Sequence, residues 1–320
     1  MNFITRSLGA FTAGLLALGL AACGADATPA DGETPTNSSA PIVLEHAQGT
    51  TTIDGPAQRI VVLDMGSLDT LAALGSADSV VGIAKGNVLP PALSQFDDPK
   101  YTPVGSLKEP DLEAIAALDP DLIIAGFRSA SLVEELSKNF KTIDVTFDYA
   151  GGFYNGIEFS TNLIAKAVGK EGEATTQLTE VSDALAAAKV KAPTDKTALI
   201  LMTSGGKVSA HGADSRFGLV HTELGIQQAI SDVEAEAHGD AISFEAVAEA
   251  NPDILYVVDR DAAIGEDGEA AKQVLDNELV ATTKAWRDDE VIYLDGSRWY
   301  IMIHGVDNAV EMLNQSVEGL

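Results

Sequence analysis

Short apolar runs recur along this chain, separated by stretches whose apolar residues fall at helical spacing. Arg59-Ile-Val-Val-Leu63, Val80-Val-Gly-Ile-Ala84, Leu122-Ile-Ile-Ala125 and Thr142-Ile-Asp-Val-Thr146 read as buried strands. Ser67–Leu74 and Ser131–Asn139, between them, carry helical periodicity. Strands alternating with helices predict a parallel, doubly wound sheet. From Gly156 to Lys189 there is no proline, and Ile157, Leu163, Ile164, Val168, Leu178, Val181 and Leu185 recur at roughly helical intervals. That stretch predicts one long helix, kinked if anywhere at Gly169–Gly172 and stopped by Pro193. Beyond it, Thr197–Met202 and Lys207–Ala210 flank Gly205-Gly206 and read as a hairpin. Ile254–Val258 and Val291–Leu294 are further strands, and a last helix starts near Val306. The expected fold is α/β: two doubly wound lobes, 41–154 and 193–320, joined by one long interlobe helix over 155–192.

Two stretches 132 positions apart copy each other. Asp111-Leu-Glu-Ala-Ile-Ala-Ala-Leu-Asp-Pro-Asp-Leu-Ile-Ile-Ala-Gly-Phe-Arg128 matches Ser243-Phe-Glu-Ala-Val-Ala-Glu-Ala-Asn-Pro-Asp-Ile-Leu-Tyr-Val-Val-Asp-Arg260. Asp111 and Ser243 suit N-caps, each accepting a hydrogen bond from the first helical turn. Glu113 and Glu245 follow where the helix dipole favours an anion. Asp119-Pro120 and Asn251-Pro252 close each helix, since the residue before proline is pushed out of the right-handed helical region. An apolar strand follows, and then an arginine at its carboxyl end, where ligands of open α/β sheets bind. One repeat at this spacing means two similar lobes. Lobes that each aim an arginine from the same place predict an anion-binding cleft.

The ends add an address. Arg6, the apolar run Leu8–Leu20 and the closing Leu20-Ala-Ala-Cys23 read as an export signal over 1–22. The last tetrapeptide resembles a bacterial lipobox, which implies lipidation of Cys23 and a membrane-tethered protein on the extracytoplasmic face. Cys23 is the only cysteine, so no internal disulfide forms. Residues 24–40 contain no large apolar side chain and complete a flexible tether over 23–40. The net charge of −28 argues against nucleic acid and anionic lipid as partners. It also means that an anion site must be built from local arginines against the general field.

A lipobox, two α/β lobes, a single spanning helix and the repeated unit resemble the receptor of an iron ABC transporter, of periplasmic-binding-protein-like class III architecture. Ser209-Ala-His-Gly-Ala-Asp-Ser-Arg-Phe-Gly218, His238-Gly239, Asn251–Arg260, Leu275-Asp-Asn277 and Ile292-Tyr-Leu-Asp-Gly-Ser-Arg-Trp-Tyr300 narrow this. They are similar to the ferric catecholate siderophore receptors, the group of petrobactin and enterobactin-fragment binders. The resemblance implies that Arg128, Arg216 and Arg260 hold the ligand anion. Catecholate oxygens around Fe(III) leave a net negative charge, and a guanidinium forks hydrogen bonds onto such oxygens without losing its proton. It also implies that His238 and Tyr300 fill coordination positions left open by a siderophore with only two catecholate groups. His304, close after Tyr300, is not expected from the family and reads as a cap of the last helix or a competing ligand. Trp299 reads as a pocket wall or a packing residue. By the same resemblance Glu113 and Glu245 dock onto permease arginines, although the dipole reading accounts for them without a partner. No permanently bound cofactor is expected, and the receptor is expected to act as a monomer.

Other classes fit less well. The chain has no Gly-x-Ser-x-Gly elbow and no Walker loop, and His211 and His221 around Asp214 and Ser215 are a scatter of catalytic residue types with no further support for an enzyme. A zinc or manganese receptor needs clustered histidines, and the five here are dispersed. A haem or cobalamin receptor of the same architecture is the nearer alternative, and it needs fewer arginines.

Overall fold

The computed structural model describes residues 40–85, 89–233 and 239–320. The expected signal over 1–22, the lipidated Cys23 and nearly all of its tether lie outside these residues. In chain order the first lobe contains β1 (Ile42–His46), β2 (Gly49–Ile53), β3 (Ile60–Val62), α1 (Met65–Ala73), β4 (Val80–Ile83), β5 (Thr102–Pro103), α2 (Leu112–Ala117), β6 (Leu122–Ala125), α3 (Val133–Leu136) and β7 (Thr142–Asp144). Two helices follow, α4 (Phe153–Val168) and α5 (Glu171–Lys191). The second lobe contains β8 (Thr197–Ser204), β9 (Lys207–His211), α6 (Leu219–Thr222), β10 (Gln227–Gln228), β11 (Asp240–Ile242), α7 (Phe244–Ala250), β12 (Ile254–Asp259), α8 (Arg260–Ile264), α9 (Ala271–Leu275), α10 (Lys284–Arg287), β13 (Val291–Leu294) and α11 (Val306–Gln315).

The sheet of the first lobe is parallel in the order β5-β4-β3-β6-β7. The chain winds outward from β3 to one side and then from β6 to the other, so the order reverses between these two strands. A crevice opens at the carboxyl ends of such a pair. The second sheet runs β11-β9-β8-β12-β13, with β12 and β13 parallel to β8 and the β8–β9 hairpin antiparallel around Gly205-Gly206. Its reversal falls between β8 and β12. Both repeat arginines therefore leave the strand that borders a reversal point.

The copied units fold alike in detail. Asp111 accepts hydrogen bonds from the backbone N–H of Glu113 and Ala114 at 3.0 Å each, and Ser243 accepts from Ala246 at 3.2 Å. Asp119 and Asn251 both take left-handed backbone, with φ of 45° and 43°. That conformation ends each helix before its proline and turns the chain into the strand.

The expected helix over 155–192 is two helices, and both span the lobes: Phe153 and Ile157 of α4 pack into the second lobe's core, Leu163, Ile164 and Val168 into the first's. Gly169 adopts φ 68°, and Lys170 N–H bonds back to the Ala165 carbonyl at 2.9 Å, which closes α4. A side chain at position 169 would also press on Pro56 at 3.2 Å. The chain then re-enters helix with Glu171 and Glu173 in the first turn of α5 and Lys189 and Lys191 in the last, charges that complement the dipole. Ala174 packs into the first lobe's core, whereas Leu178, Val181 and Ala188 pack into the second's. Burying a Leu or Val side chain contributes roughly 1.5–3 kcal/mol, so α5 is anchored at both ends.

A second connection is polar. After β13 the chain reaches the first lobe, whose core Met302 joins, and α11, buried in the second lobe's core, packs on α1 and α5. Val306 N–H donates to Thr70 Oγ1 at 3.2 Å, and Asn308 N–H donates to Asp69 Oδ2 at 3.0 Å. His304 Nε2 lies 2.6 Å from Asp64 Oδ1, with both side chains buried. His304 thus does not cap the last helix, whose N-cap is Gly305 with no side-chain bond. Among the described residues no helix is long and apolar enough to cross a membrane.

Candidate ligand-binding site

Beyond β6 the chain turns sharply through Gly126-Phe127-Arg128. Phe127 has φ 50°, a left-handed conformation that a bulky residue rarely adopts and that costs on the order of 1–3 kcal/mol. Its surroundings hold it there. Phe127 N–H donates to Thr146 Oγ1 at 2.7 Å, and Ser129 Oγ accepts from Gly126 N–H and donates to the Leu63 carbonyl at 2.8 Å. The Phe127 ring stacks on His304 at 3.8 Å and 16°. This turn aims Arg128 across to the second lobe, where its Nη2 donates to the Tyr300 carbonyl at 2.9 Å.

Arg260 is the first residue after β12 and enters from the equivalent place. Its Nε donates to Tyr300 Oη at 3.2 Å, and its Nη1 donates to Ser204 Oγ at 3.1 Å and Asp261 Oδ1 at 3.3 Å. Glu266 lies 3.7 Å away. Arg216 comes from the loop between β9 and α6. That loop is closed by Ser215 on the Gly212 carbonyl and by a close approach at Gly218, where a Cβ would fall 1.8 Å from the Ala213 carbonyl oxygen.

The three guanidiniums converge on one ring. Their central carbons stand 4.5 Å (Arg128), 5.2 Å (Arg216) and 5.8 Å (Arg260) from the centroid of Tyr300. Tyr300 is buried, on a π-helical turn spanning Ser297–Ile301, a distortion that recurs at functional sites. Each contact between a cation and an aromatic face contributes roughly 0.5–2 kcal/mol. That does not replace an anion. Among the described residues, neither Arg128 nor Arg216 has a carboxylate within 4 Å.

The electrostatics separate the two repeat arginines. Burial lowers the pKa of Arg128; the Tyr300 phenol opposes the shift and Arg216 adds to it. Burial acts on Arg260 too, but the Tyr300 hydrogen bond and the Glu266 and Asp261 carboxylates outweigh it and raise its pKa.

Other expected residues fall in different places. His238 lies outside the described residues; its neighbour Gly239 lines, with Arg260, Ser204, Lys207 and Ser209, a cavity of about 460 Å³. Trp299 is fully buried and donates to Gln315 at 2.9 Å, so it is a packing residue and not a pocket wall. Glu113 and Glu245 are exposed in the first turns of α2 and α7. Both turns begin at the carboxyl-end side of their sheets: Asp111 N–H bonds to Val104 just past β5, and Ile242 of β11 pairs with Val208 beside the end of β8. The Ser215 hydroxyl is used by the Gly212 carbonyl at 2.7 Å, and His221 Nδ1 lies 2.8 Å from the Ile226 carbonyl, so these form no nucleophilic pair. A larger open depression of about 690 Å³ lies between the β1–β2 hairpin and α3, but its lysines, Lys138 and Lys141, are paired with Glu135 and Asp54.

Four groups at the site escaped sequence reasoning: Asp64, Phe127, Phe147 and Tyr149. Asp64 follows β3, and Phe147 and Tyr149 follow β7. The carboxyl-end rule that singled out the arginines would have flagged all of them had it been applied to every strand.

A family model described as periplasmic binding protein matches residues 60–297. The petrobactin-binding protein YclQ of Bacillus subtilis is 36% identical over 97% of both chains. Its crystal structure superposes with a TM-score of 0.83, at 37% identity over 88% of this chain and 99% of that one. The ferric-anguibactin-binding protein FatB of Vibrio anguillarum is 32% identical over 87% of both chains. The catecholate-siderophore binding protein VctP of Vibrio cholerae superposes with a TM-score of 0.81, at 31% identity over 86% of this chain and 99% of that one. The chain belongs to the periplasmic binding protein family, extracytoplasmic substrate-binding proteins and not enzymes.

Proposed function

We propose that this protein captures a ferric catecholate-type siderophore between its lobes and delivers it to an ABC permease for iron uptake. One observation carries the reading: in a strongly acidic chain, three arginines from three separate segments converge on one buried tyrosine, and two of them have no carboxylate partner among the described residues. Such a set matches a compact, multiply charged anion with hard oxygen atoms on its surface. Relatives named for petrobactin, anguibactin and catecholate siderophores support the same ligand class.

Arg128, Arg216 and Arg260 hold the ligand's oxygens, and His238 with Tyr300 completes the iron shell where the siderophore leaves positions open. Iron arrives and leaves as cargo, with no resident cofactor. Cys23 carries the lipid that tethers the protein to the extracytoplasmic face of the membrane. The exposed Glu113 and Glu245, at corresponding places on the two lobes, meet the permease. The receptor works as a monomer. Closure is a modest tilt, because α5 and the His304–Asp64 contact both tie the lobes together.

The test is a fluorescence-quenching titration of the mature chain, residues 23–320, with a ferric bis-catecholate and with a ferric hydroxamate as control. Tight, selective quenching by the catecholate is expected. Equal affinity for both, or binding of neither, overturns the ligand class. A large difference between the free and bound scattering profiles would reject the modest closure.

A further inference from the structure

Tyr149 stands in the short turn Tyr149–Gly151 that follows β7. Asp148 opens this turn by accepting from Ala150 N–H at 3.0 Å. The Tyr149 ring packs against Phe127, at 5.8 Å and 38°, and Phe147, at 5.2 Å and 70°, which also touch each other at 5.1 Å. Phe127 is in turn fixed by its stack on His304, and His304 by Asp64. The ring orientation is therefore set by packing. The hydroxyl is not: its oxygen is buried and bonds to nothing among the described residues.

A buried hydroxyl without a partner costs roughly 1–3 kcal/mol, and native proteins keep few of them without a use. The charges around it act on its proton. Burial raises the Tyr149 pKa well above the ordinary phenol range, Arg216 and Arg128 act to lower it, and Asp64 acts to raise it. Tyr149 follows β7, the neighbour of β6 at the carboxyl end of the sheet, and its ring packs on Phe127, the residue before Arg128, which places it on the first-lobe wall beside the guanidinium cluster. There it keeps its proton and has a donor to offer.

We propose that Tyr149 is a fourth anchor for the bound anion: a neutral hydrogen-bond donor from the first lobe to a catecholate oxygen also served by Arg128 and Arg216. This rests on the reading of the cleft as a ferric catecholate site. It gives the two tyrosines separate tasks, Tyr300 facing the iron and Tyr149 donating a proton into a hydrogen bond. It also gives the first lobe two anchors, one charged and one neutral.

The test is Tyr149→Phe in the mature chain, read by the ferric bis-catecholate titration, thermal melting of the ligand-free protein and the visible charge-transfer band of the complex. Loss of one hydrogen bond to a charged acceptor weakens binding on the order of tenfold to a hundredfold. The melting temperature of the ligand-free protein does not fall, because the hydroxyl bonds to nothing before ligand arrives. The charge-transfer band keeps its position, because Tyr149 is not an iron ligand. A variant that binds as tightly as wild type, while wild type binds, overturns the inference alone. A lower melting temperature with unchanged affinity assigns the hydroxyl to the fold, and a displaced band makes it an iron ligand; either outcome overturns the donor role. Failure of wild type to bind any ferric catecholate removes the underlying reading, and this inference with it.

Discussion

Arg128 and Arg260 end the two copies of one sequence unit, but the lobes surround them differently. Arg128 has lost most of its water, has no carboxylate within 4 Å among the described residues and rests on the ring and carbonyl of Tyr300. Arg260 keeps 24% of its side chain exposed and is flanked by Asp261 and Glu266. A desolvated charge without a counterion is costly, with an effective penalty of several kcal/mol. An arriving anion relieves that penalty at Arg128, whereas at Arg260 it has to compete with carboxylates already in place. Equivalent positions therefore divide the work: Arg128 supplies affinity, and Arg260 supplies a screened, adjustable contact.

The largest effect should come from Arg128→Ala. Removing one side of a buried charge contact costs about 2–5 kcal/mol of binding, so the dissociation constant for a ferric bis-catecholate rises at least about thirtyfold by the usual 1.4 kcal/mol per decade. The ligand-free protein should melt no lower than wild type, since the variant also removes a largely desolvated charge that has no carboxylate partner among the described residues. Weak binding combined with undiminished stability is the signature; affinity within threefold of wild type would end the division of work.

Next in size is the support beneath Arg128. Leaving one partner of a buried hydrogen-bonded pair unsatisfied costs roughly 1–3 kcal/mol, more where that partner is charged, and His304→Ala, which strands the Asp64 carboxylate, should reach the upper part of that range in denaturant unfolding. The pH dependence follows from Asp64. Burial pushes its carboxyl up, but His304 and Ser67 outweigh burial and hold the pKa below the ordinary value. A depressed carboxyl stabilises the fold fully above the unfolded pKa of about 4 and loses that contribution as pH falls through the folded value. Stability of the wild type should therefore decline more steeply below about pH 4 than stability of Asp64→Asn. Parallel curves would show that the contact contributes nothing to joining the lobes.

Arg260→Ala should weaken binding by only about tenfold, since charge-assisted hydrogen bonds contribute roughly 1.5–3 kcal/mol and part of that here is already spent on Asp261 and Glu266. A loss equal to that of Arg128→Ala would make the two repeat arginines interchangeable.

The repeat was legible because its signals are local: caps, a proline after the helix, an apolar strand and then an arginine. The strands were legible for the same reason, since an apolar run buried on both faces needs no distant partner to be recognised. The bounds of α5 were not. Gly169 in a helical pattern reads equally as a tolerated residue or a stop, and its approach to Pro56 decides between them. Contacts between Asp64 and His304, 240 positions apart, left no trace in any window of sequence. The place of Tyr149 after β7 was legible by the carboxyl-end rule, but the missing hydrogen bond that sets it apart from its neighbours is visible only in a packed structure.

The smallest expected effect concerns Glu266, whose side chain is 56% exposed and stands 3.7 Å from Arg260. Exposed pairs of this kind are weak, so Glu266→Gln should change folding stability little. Its effect should appear in binding. Without the carboxylate, Arg260 no longer divides its charge, and the incoming anion meets one repulsion fewer. Affinity for the ferric bis-catecholate should rise about twofold to fivefold at low salt, and the gain should vanish near 1 M, where the screening length has shrunk to about 3 Å. Glu173→Gln on α5 removes the same charge far from the cleft and serves as the control. Equal tightening by both variants would assign the effect to the overall negative field of the protein, and a gain that persists at high salt would mean that Glu266 acts by shape. Tightening by Glu266→Gln alone, erased by salt, leaves the carboxylate beside Arg260 as the element that makes the second lobe's arginine the weaker of the pair.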